Sequence, residues 1–165
     1  TLLYRKSRLI ANLEMRIPTA CALFFKDPTK KTIIFNQHIS AAENISRIIN
    51  NRGIPSSLYH SKLQPHMRRE YLRRFKYSMD TLLIAVRALD EGLNVPDAEI
   101  AIIASSSLSK RQRIQRLGRV LRTTNNKSLA TIYSVYSTIE EEKRLLEESD
   151  HMSENIEISW QKVSL

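Results

Sequence analysis

Three scarcities narrow what this chain of 165 residues does. Cys21 is its single cysteine, so neither a disulfide nor a zinc cluster can be built from cysteines alone, and an intracellular setting is expected. Glycine occurs three times, as Gly53, Gly92 and Gly118, and nowhere in the spacing G-x-x-x-x-G-K-S/T of a phosphate-cradling loop. A D-E-x-D/H metal box is missing as well. A chain without that lysine and those magnesium ligands does not cradle a nucleoside triphosphate by itself. Long apolar runs are also lacking: no stretch approaches the roughly 18 to 20 residues of a membrane span, and no signal-peptide pattern opens the sequence. We therefore expect a soluble protein without a membrane partner, cytoplasmic in a prokaryote or nuclear in a eukaryote.

Acidic residues are few and unevenly placed. Lys and Arg number 26 against 17 Asp and Glu, a formal net charge of +9. Residues 1 to 139 hold 23 basic and 9 acidic side chains, net +14, whereas residues 140 to 165 hold 3 and 8, net −5. A basic body of that kind attracts polyanions, nucleic acid first and an anionic membrane surface second, and composition does not choose between them. The 42% of hydrophobic residues suffice for one buried core at this length. The first residue is Thr1 rather than Met, from which we expect the chain to be part of something longer.

Strand and helix patterns alternate along the chain. Thr32 to Asn36 (TIIFN) is a short β-branched run, and Ser40-x-x-Glu43 is a capping-box signature for a helix that carries Ile45, Ile48 and Ile49 on one face and stops near Gly53. Ser57 to His60 reads as a second strand. Pro65 opens a helix whose core stripe is Met67, Tyr71, Leu72 and Phe75, with His66, Arg69, Arg73 and Lys76 on the other side. Thr81 to Val86 and Glu99 to Ala104 read as buried strands. Ser109-x-x-Gln112 caps a further helix, Ser128 to Val135 makes a fifth strand, and Thr138-x-x-Glu141 opens a closing helix. Strands separated by helices of this length imply βαβ crossovers, an α/β fold and a mainly parallel sheet flanked by helices. Ligands of such sheets bind at the carboxyl ends of the strands, here the segments Gln37 to Ser40, His60 to Pro65, Arg87 to Pro96 and Ser105 to Ser109.

Two segments stand out. In QRIQRLGRVLR (Gln112 to Arg122), Gln112, Gln115, Arg119 and Arg122 fall on one helical face with Arg116 at its margin, and Ile114, Leu117 and Leu121 fall on the other. Guanidinium forks in that array suit phosphate oxygens. A solvated basic face is the plain alternative, against which Gly118 speaks, since a mid-helix glycine costs roughly 1 kcal/mol relative to alanine and suggests close packing. In RALDEGLNVP (Arg87 to Pro96), Asp90, Glu91 and Asn94 cluster around Gly92 directly after a buried strand; ordinary turn formation is the alternative reading.

Together these strings resemble the second RecA-like domain of superfamily two helicases and translocases. Ile33 to Gln37 (IIFNQ) is similar to motif four, Leu82 to Glu99 (LLIAVRALDEGLNVPDAE) to motif five, and Gln115 to Arg122 (QRLGRVLR) to motif six with its pattern Q-R-x-G-R-x-x-R. The His60-Ser61 loop and its basic helix resemble the connecting motif after motif four. Four ordered matches cover about residues 30 to 149, and the strings DEGLNVP and QRLGRVLR are most similar to XPB-type DNA repair helicases.

The resemblance implies a three-layer RecA-like (P-loop NTPase-like) domain over residues 29–150, connecting helices over 1–28 and a tail over 151–165. It implies arginine fingers at Arg119 and Arg122 that reach the γ-phosphate of ATP, with Gln115 and Arg116 organising that interface and Gly92 and Asn94 close to the nucleotide. The family commonly has Asp where Asn94 stands; an amide still hydrogen-bonds a ribose hydroxyl. Gln37, His60, Ser61, Lys62 and Arg87 match positions that touch a nucleic-acid backbone, and Val86 stands where many members carry a hydroxyl residue. ATP with Mg2+ would be held mainly by a first RecA-like domain upstream in the same polypeptide, and no metal ligand is assigned here. DNA is expected as the other partner ahead of RNA. Two other classes remain open on the residues alone: a non-catalytic nucleic-acid-binding module built on the basic helix from Pro65 to Lys76, and a self-contained nucleotidyl or phosphoryl transferase, for which the acid, metal and phosphate-loop groups are missing. Of the ends, the basic stretch at Tyr4 to Arg8 and the apolar one at Cys21 to Phe25 read as packing helices, and Trp160 as a residue that packs back on the body.

Overall fold

Strand β1 (Thr32–Asn36) is buried at every position, a pattern open to a strand that other layers cover on both faces. In the computed structural model, which describes residues 15–87, 98–105 and 131–149, β1 is the centre of a five-stranded sheet. The elements follow in the order α1 (Arg16–Phe25), β1, α2 (Ile39–Asn50), β2 (Ser56–Tyr59), α3 (Pro65–Lys76), β3 (Leu82–Val86), β4 (Ile100–Ile103), β5 (Thr131–Ser134) and α4 (Ile139–Ser149). The strands lie in the order β2-β3-β1-β4-β5, and every neighbouring pair is parallel. Thr32 is level with Leu82 on one side and with Ile100 on the other.

Alternation of side chains across each strand divides the core in two. Ile33, Phe35, Leu83, Ala85, Ala101 and Ile103 meet Phe75 of α3, with Leu72 and Tyr59 packed beside them. Ile34, Leu82, Ile84, Val86, Ile100 and Ile102 meet Ala20, Cys21 and Phe24 of α1 and Ala42, Ile45 and Ile49 of α2. Each fully buried Ile, Leu or Phe contributes roughly 1.5–3 kcal/mol, so these two layers hold the three-layer fold together.

Local chemistry sets the element ends. Pro18 falls in the first turn of α1, where its missing N–H leaves no helical bond unmade. The capping box expected at Ser40 is not used: α2 begins at Ile39, whose partly buried side chain packs against the core layer of α1 and α2, and its N-cap, His38, makes no side-chain cap bond. The carboxamide of Asn36 takes the neighbouring N–H groups instead. Gly53 closes the helix exit with φ +79, a left-handed conformation suited to glycine. β2 runs one residue earlier than the sequence pattern suggests, because the carbonyl of His60 already accepts the N–H of Leu63 at 3.2 Å in a turn. Pro65 opens α3 as expected, but only Phe75 of the proposed stripe is fully buried; Met67 is 37% exposed, since the first turn carries it past the cluster that Phe75 anchors. At the other end of α3, Lys31 donates to the carbonyl of Lys76 at 2.9 Å, where the helix terminus favours a cation.

The Thr138 box does form. Thr138 Oγ1 accepts the N–H of Glu141 at 3.1 Å, while the Glu141 carboxylate accepts the N–H of Ser137 at 2.9 Å. Arg16 then joins α1 to this corner through Glu141, Ser137 Oγ and, at 3.1 Å, the carbonyl of Ala104.

Candidate functional site

Because all five strands are parallel, their carboxyl ends share one edge. Asn36 ends β1 there. It is 6% exposed, and its Oδ1 accepts the N–H of Gln37 at 2.8 Å, the N–H of His38 at 3.3 Å and the hydroxyl of Ser105 at 2.8 Å. Ser105, which follows β4, accepts the N–H of Gln37 on its own Oγ at 3.0 Å. The ends of β1 and β4 are thus tied through side chains, and the half-buried Gln37 is held at the edge by its backbone.

Arg87 follows β3 and sits at φ +55, in the left-handed region, with its N–H donating to the carbonyl of Asn36 at 3.0 Å. That conformation costs a non-glycine residue on the order of 1–2 kcal/mol, and such strain gathers where a backbone is held for a purpose. The Arg87 side chain is exposed, and among the described residues its guanidinium forms no hydrogen bond or ion pair.

The turn after β2 treats its three residues differently. Ser61 and Lys62 are exposed, whereas His60 is 4% exposed and its Nδ1 is buried without a partner. Burial pushes the His60 imidazole below its ordinary range; Glu43 opposes that shift and Lys62 adds to it. His60 is therefore neutral at pH 7 and is the one of these edge residues turned into the fold.

The basic side of α3 is divided along its length. His66 and Arg69 are exposed near the carboxyl edge, but the last turn lies beside Lys31, at the amino edge. Two of its cations there are engaged: Arg73 is bidentate to Glu70 at 2.8 Å, and Arg74 is bidentate to the buried Asp80 at 2.7 and 3.0 Å. Lys62, Arg69 and Arg87, toward the carboxyl edge, form no ion pair among the described residues.

Gly92, Asn94, Gln115, Arg116, Arg119 and Arg122 lie outside the described residues, as do the helix expected over residues 112–122, its Ser109 cap, Ser128 to Ala130, Tyr4 to Arg8 and Trp160. Conversely, Asn36 and Ser105 belong to the site as individual side chains, where the sequence offered only the longer strings IIFNQ and Ser105 to Ser109; the available signal is an Asn that ends the apolar run Ile33 to Phe35. Among the described residues, no group of three or more His, Cys, Asp or Glu is placed to hold a metal ion, and no helix is long and apolar enough to cross a membrane.

An all-parallel, three-layer sheet with this strand order and a polar carboxyl edge is the architecture of a RecA-like domain. The chain belongs to the family of the helicase conserved C-terminal domain, which matches residues 15–124; it is the second RecA-like domain of a superfamily two helicase, most like the XPB type. It is 32% identical over 121 residues to the DNA 3'-5' translocase XPB2 of Sulfurisphaera tokodaii, covering 73% of this chain and 26% of that protein. It is 34% identical over 119 residues to the putative DNA 3'-5' helicase Rad25 of Haloarcula marismortui, covering 71% and 18%. The probable ATP-dependent RNA helicase ddx49 of Dictyostelium discoideum is 32% identical over 97 residues, covering 59% and 19%. Among solved structures, the C-terminal domain of S. cerevisiae Dbp5 bound to Gle1 and IP6 is similar in fold, with a TM-score of 0.70 at 16% identity, covering 84% of this chain and 79% of that one. The chain spans about a quarter or less of the length of these curated relatives.

Proposed function

We propose that this chain is the second motor half of an ATP-dependent DNA helicase or translocase that works in DNA repair inside the cell. The observation that carries the reading is the carboxyl edge, where Gln37, Ser61, Lys62 and Arg87 stand together with Lys62 and Arg87 unpaired among the described residues. Backbone phosphates are the ligands that such donors suit, and contacts of that kind grip a strand without reading its sequence. His60 supports the edge from below, shaping the turn that presents Ser61 and Lys62.

On the nucleotide side, Arg119 and Arg122 act as arginine fingers toward the γ-phosphate, Gln115 and Arg116 organise the cleft, and Gly92 and Asn94 line it. The guanidinium groups there offer only donors, which suit phosphate oxygens, and the amides suit ribose hydroxyls. ATP with Mg2+ is accordingly assigned to a first RecA-like domain of the same polypeptide. When bound, the nucleotide supplies a γ-phosphoryl group whose developing charge the arginines stabilise, and its loss lets the cleft reopen. In this division residues 29–150 form the motor domain, 1–28 the connecting helices and 151–165 a tail.

An RNA-directed motor is the second reading, favoured by the similarity to an RNA helicase over 97 residues. A passive binding module has no use for the QRLGRVLR face. The test joins this chain to its companion RecA-like domain and measures ATP hydrolysis alone, with single-stranded DNA and with RNA, in the wild type and in R122A. Turnover that DNA stimulates and that R122A abolishes is the expected result. Stimulation by RNA alone would transfer the chain to the second reading, and turnover insensitive to R122A would remove the finger assignment.

A further inference from the structure

We infer that the side-chain amide of Asn36 is a phosphate-binding group, donating from Nδ2 to a nonbridging oxygen of the bound strand beside the Arg87 guanidinium. The inference rests on the nucleic-acid reading of the carboxyl edge and adds to it a residue with a defined chemical role.

The orientation of the Asn36 carboxamide is fixed by its partners. Three donors converge on Oδ1: the N–H of Gln37, the N–H of His38 and the hydroxyl of Ser105. Exchanging oxygen and nitrogen would set the two backbone N–H groups against an NH2 group that has only donors to offer, so the amide has one permitted orientation. Its acceptor side is saturated by the fold. Its donor side is not: Nδ2 makes no hydrogen bond among the described residues. A residue buried to 6% exposure thus presents two N–H groups at the edge where ligands of parallel sheets bind.

The neighbour across the strand gap completes the pair. β1 and β3 run side by side, Asn36 is level with Val86, and the Asn36 carbonyl holds the N–H of Arg87 at 3.0 Å. The amide and the root of the guanidinium chain therefore belong to adjacent strand ends, roughly 5 Å apart as strands are spaced. A phosphodiester has two nonbridging oxygens, so a neutral fixed donor and a charged mobile one can each take one. Because Asn36 is already immobilised by three bonds, the ligand does not have to order it. Ser105 is then a positioning residue, acting through Asn36 and not on the strand: its single proton goes to Asn36 Oδ1, and its lone pair takes the N–H of Gln37.

One substitution separates this role from a structural one. In N36D a carboxylate oxygen still accepts all three donors, so the internal network stands, while the second oxygen puts a negative acceptor where Nδ2 now donates. The experiment measures affinity of the full-length protein for a labelled thymidine oligonucleotide by fluorescence anisotropy, for wild type, N36D, K62A and R87A, together with thermal midpoints. The expected result is binding weakened on the order of tenfold or more in N36D with its midpoint unchanged. On an oligonucleotide whose linkages are methylphosphonates, which lose the charge and one of the two nonbridging oxygens, the N36D penalty should shrink.

If N36D binds the phosphodiester strand like wild type while K62A and R87A weaken it, the inference falls and the reading of the edge stands. A penalty of undiminished size on the uncharged strand also overturns it, because the effect would then be structural. If K62A and R87A match wild type, the nucleic-acid reading itself fails. Should N36D not fold, the Asn36 side-chain amide signal of nitrogen-15-labelled wild-type protein decides the matter: it moves on titration with the oligonucleotide if Nδ2 is a contact and stays in place if it is not.

Discussion

Replacing Asp80 with asparagine removes one charge from a point where α3 is tied to β2. The carboxylate is 1% exposed; Oδ1 accepts Arg74 Nη2 at 2.7 Å, and Oδ2 accepts Arg74 Nε at 3.0 Å and the Ser57 hydroxyl at 2.6 Å. Ser57 Oγ also lies 3.0 Å from the Tyr71 carbonyl, but a hydroxyl has one proton and the charged acceptor takes it. Arg74 is 39% exposed, so its ion pair is discounted for solvent to about 1 kcal/mol or less. Exchanging the charge-assisted Ser57 bond for a neutral one loses about 1 kcal/mol more. D80N should therefore cost about 2 kcal/mol, or a fall in Tm of about 4–8 °C for a chain of this size. Burial by itself raises the Asp80 carboxyl; the hydrogen bonds from Arg74 and Ser57 and the Arg74 charge outweigh it and hold the group below its ordinary 3.8. For a depressed acid the stabilisation is fully present above 3.8 and is lost as pH falls through the lower folded value. Thermal unfolding of both proteins by circular dichroism, from pH 7 down to pH 3, should show curves that converge at the acid end. Equal melting at pH 7, or a gap that stays constant as pH falls, would refute the argument that charge on Asp80 fastens this joint.

R122A or R119A in the intact protein should lower ATP turnover on the order of 10³-fold with nucleic-acid affinity nearly retained, as steady-state hydrolysis and anisotropy together would read. K62A should reduce the slope of log affinity against log salt by about 0.7 on a single strand; an unchanged slope would take Lys62 off the contact surface. Arg87→Gly should raise the unfolding free energy by on the order of 0.5–1 kcal/mol, because glycine accepts φ +55 freely, and at the same time weaken nucleic-acid binding; a variant that loses both would show the guanidinium to be a structural group. Burial pushes the Cys21 thiol up to about 11 against the lowering influence of Arg52, so a thiol reagent at pH 7 should modify native protein only as fast as the fold opens. Rapid labelling under native conditions would contradict the packing of α1.

The central part of the fold is legible because its signals are local. The run TIIFN is β-branched and bounded by polar residues, and it becomes β1 with those limits. Pro65 and the Thr138 box mark helix starts by chemistry within one turn, and both do so in the structure. The misreadings arise where a contact from elsewhere in the chain decides. Ser40 and Glu43 spell a capping box, yet α2 starts earlier, because Asn36 satisfies the nearby N–H groups from the strand side. Met67 has helical spacing with Phe75, but spacing says nothing of where the core ends along the helix axis. At the site, Lys62 and Arg87 were readable as loop cations after strands. The Asn36–Ser105 bond was not, since its partners stand 69 positions apart and neither residue type is unusual at a strand end.

The placement of β1 also governs how the chain must be made. Its neighbours are β3 and β4, so Thr32 waits for Leu82 on one side and Ile100 on the other, while the two α-helices and the strand synthesised in between have only partial surfaces to fold against. Pairings that distant close large loops before they return any burial, which slows folding and lengthens exposure of the most apolar segment. A nascent or truncated chain that stops before Ile103 carries a strand meant to be buried on both faces with one ladder unmade. Such a fragment should recruit chaperones or aggregate, and the sheet should form as a unit once β4 emerges.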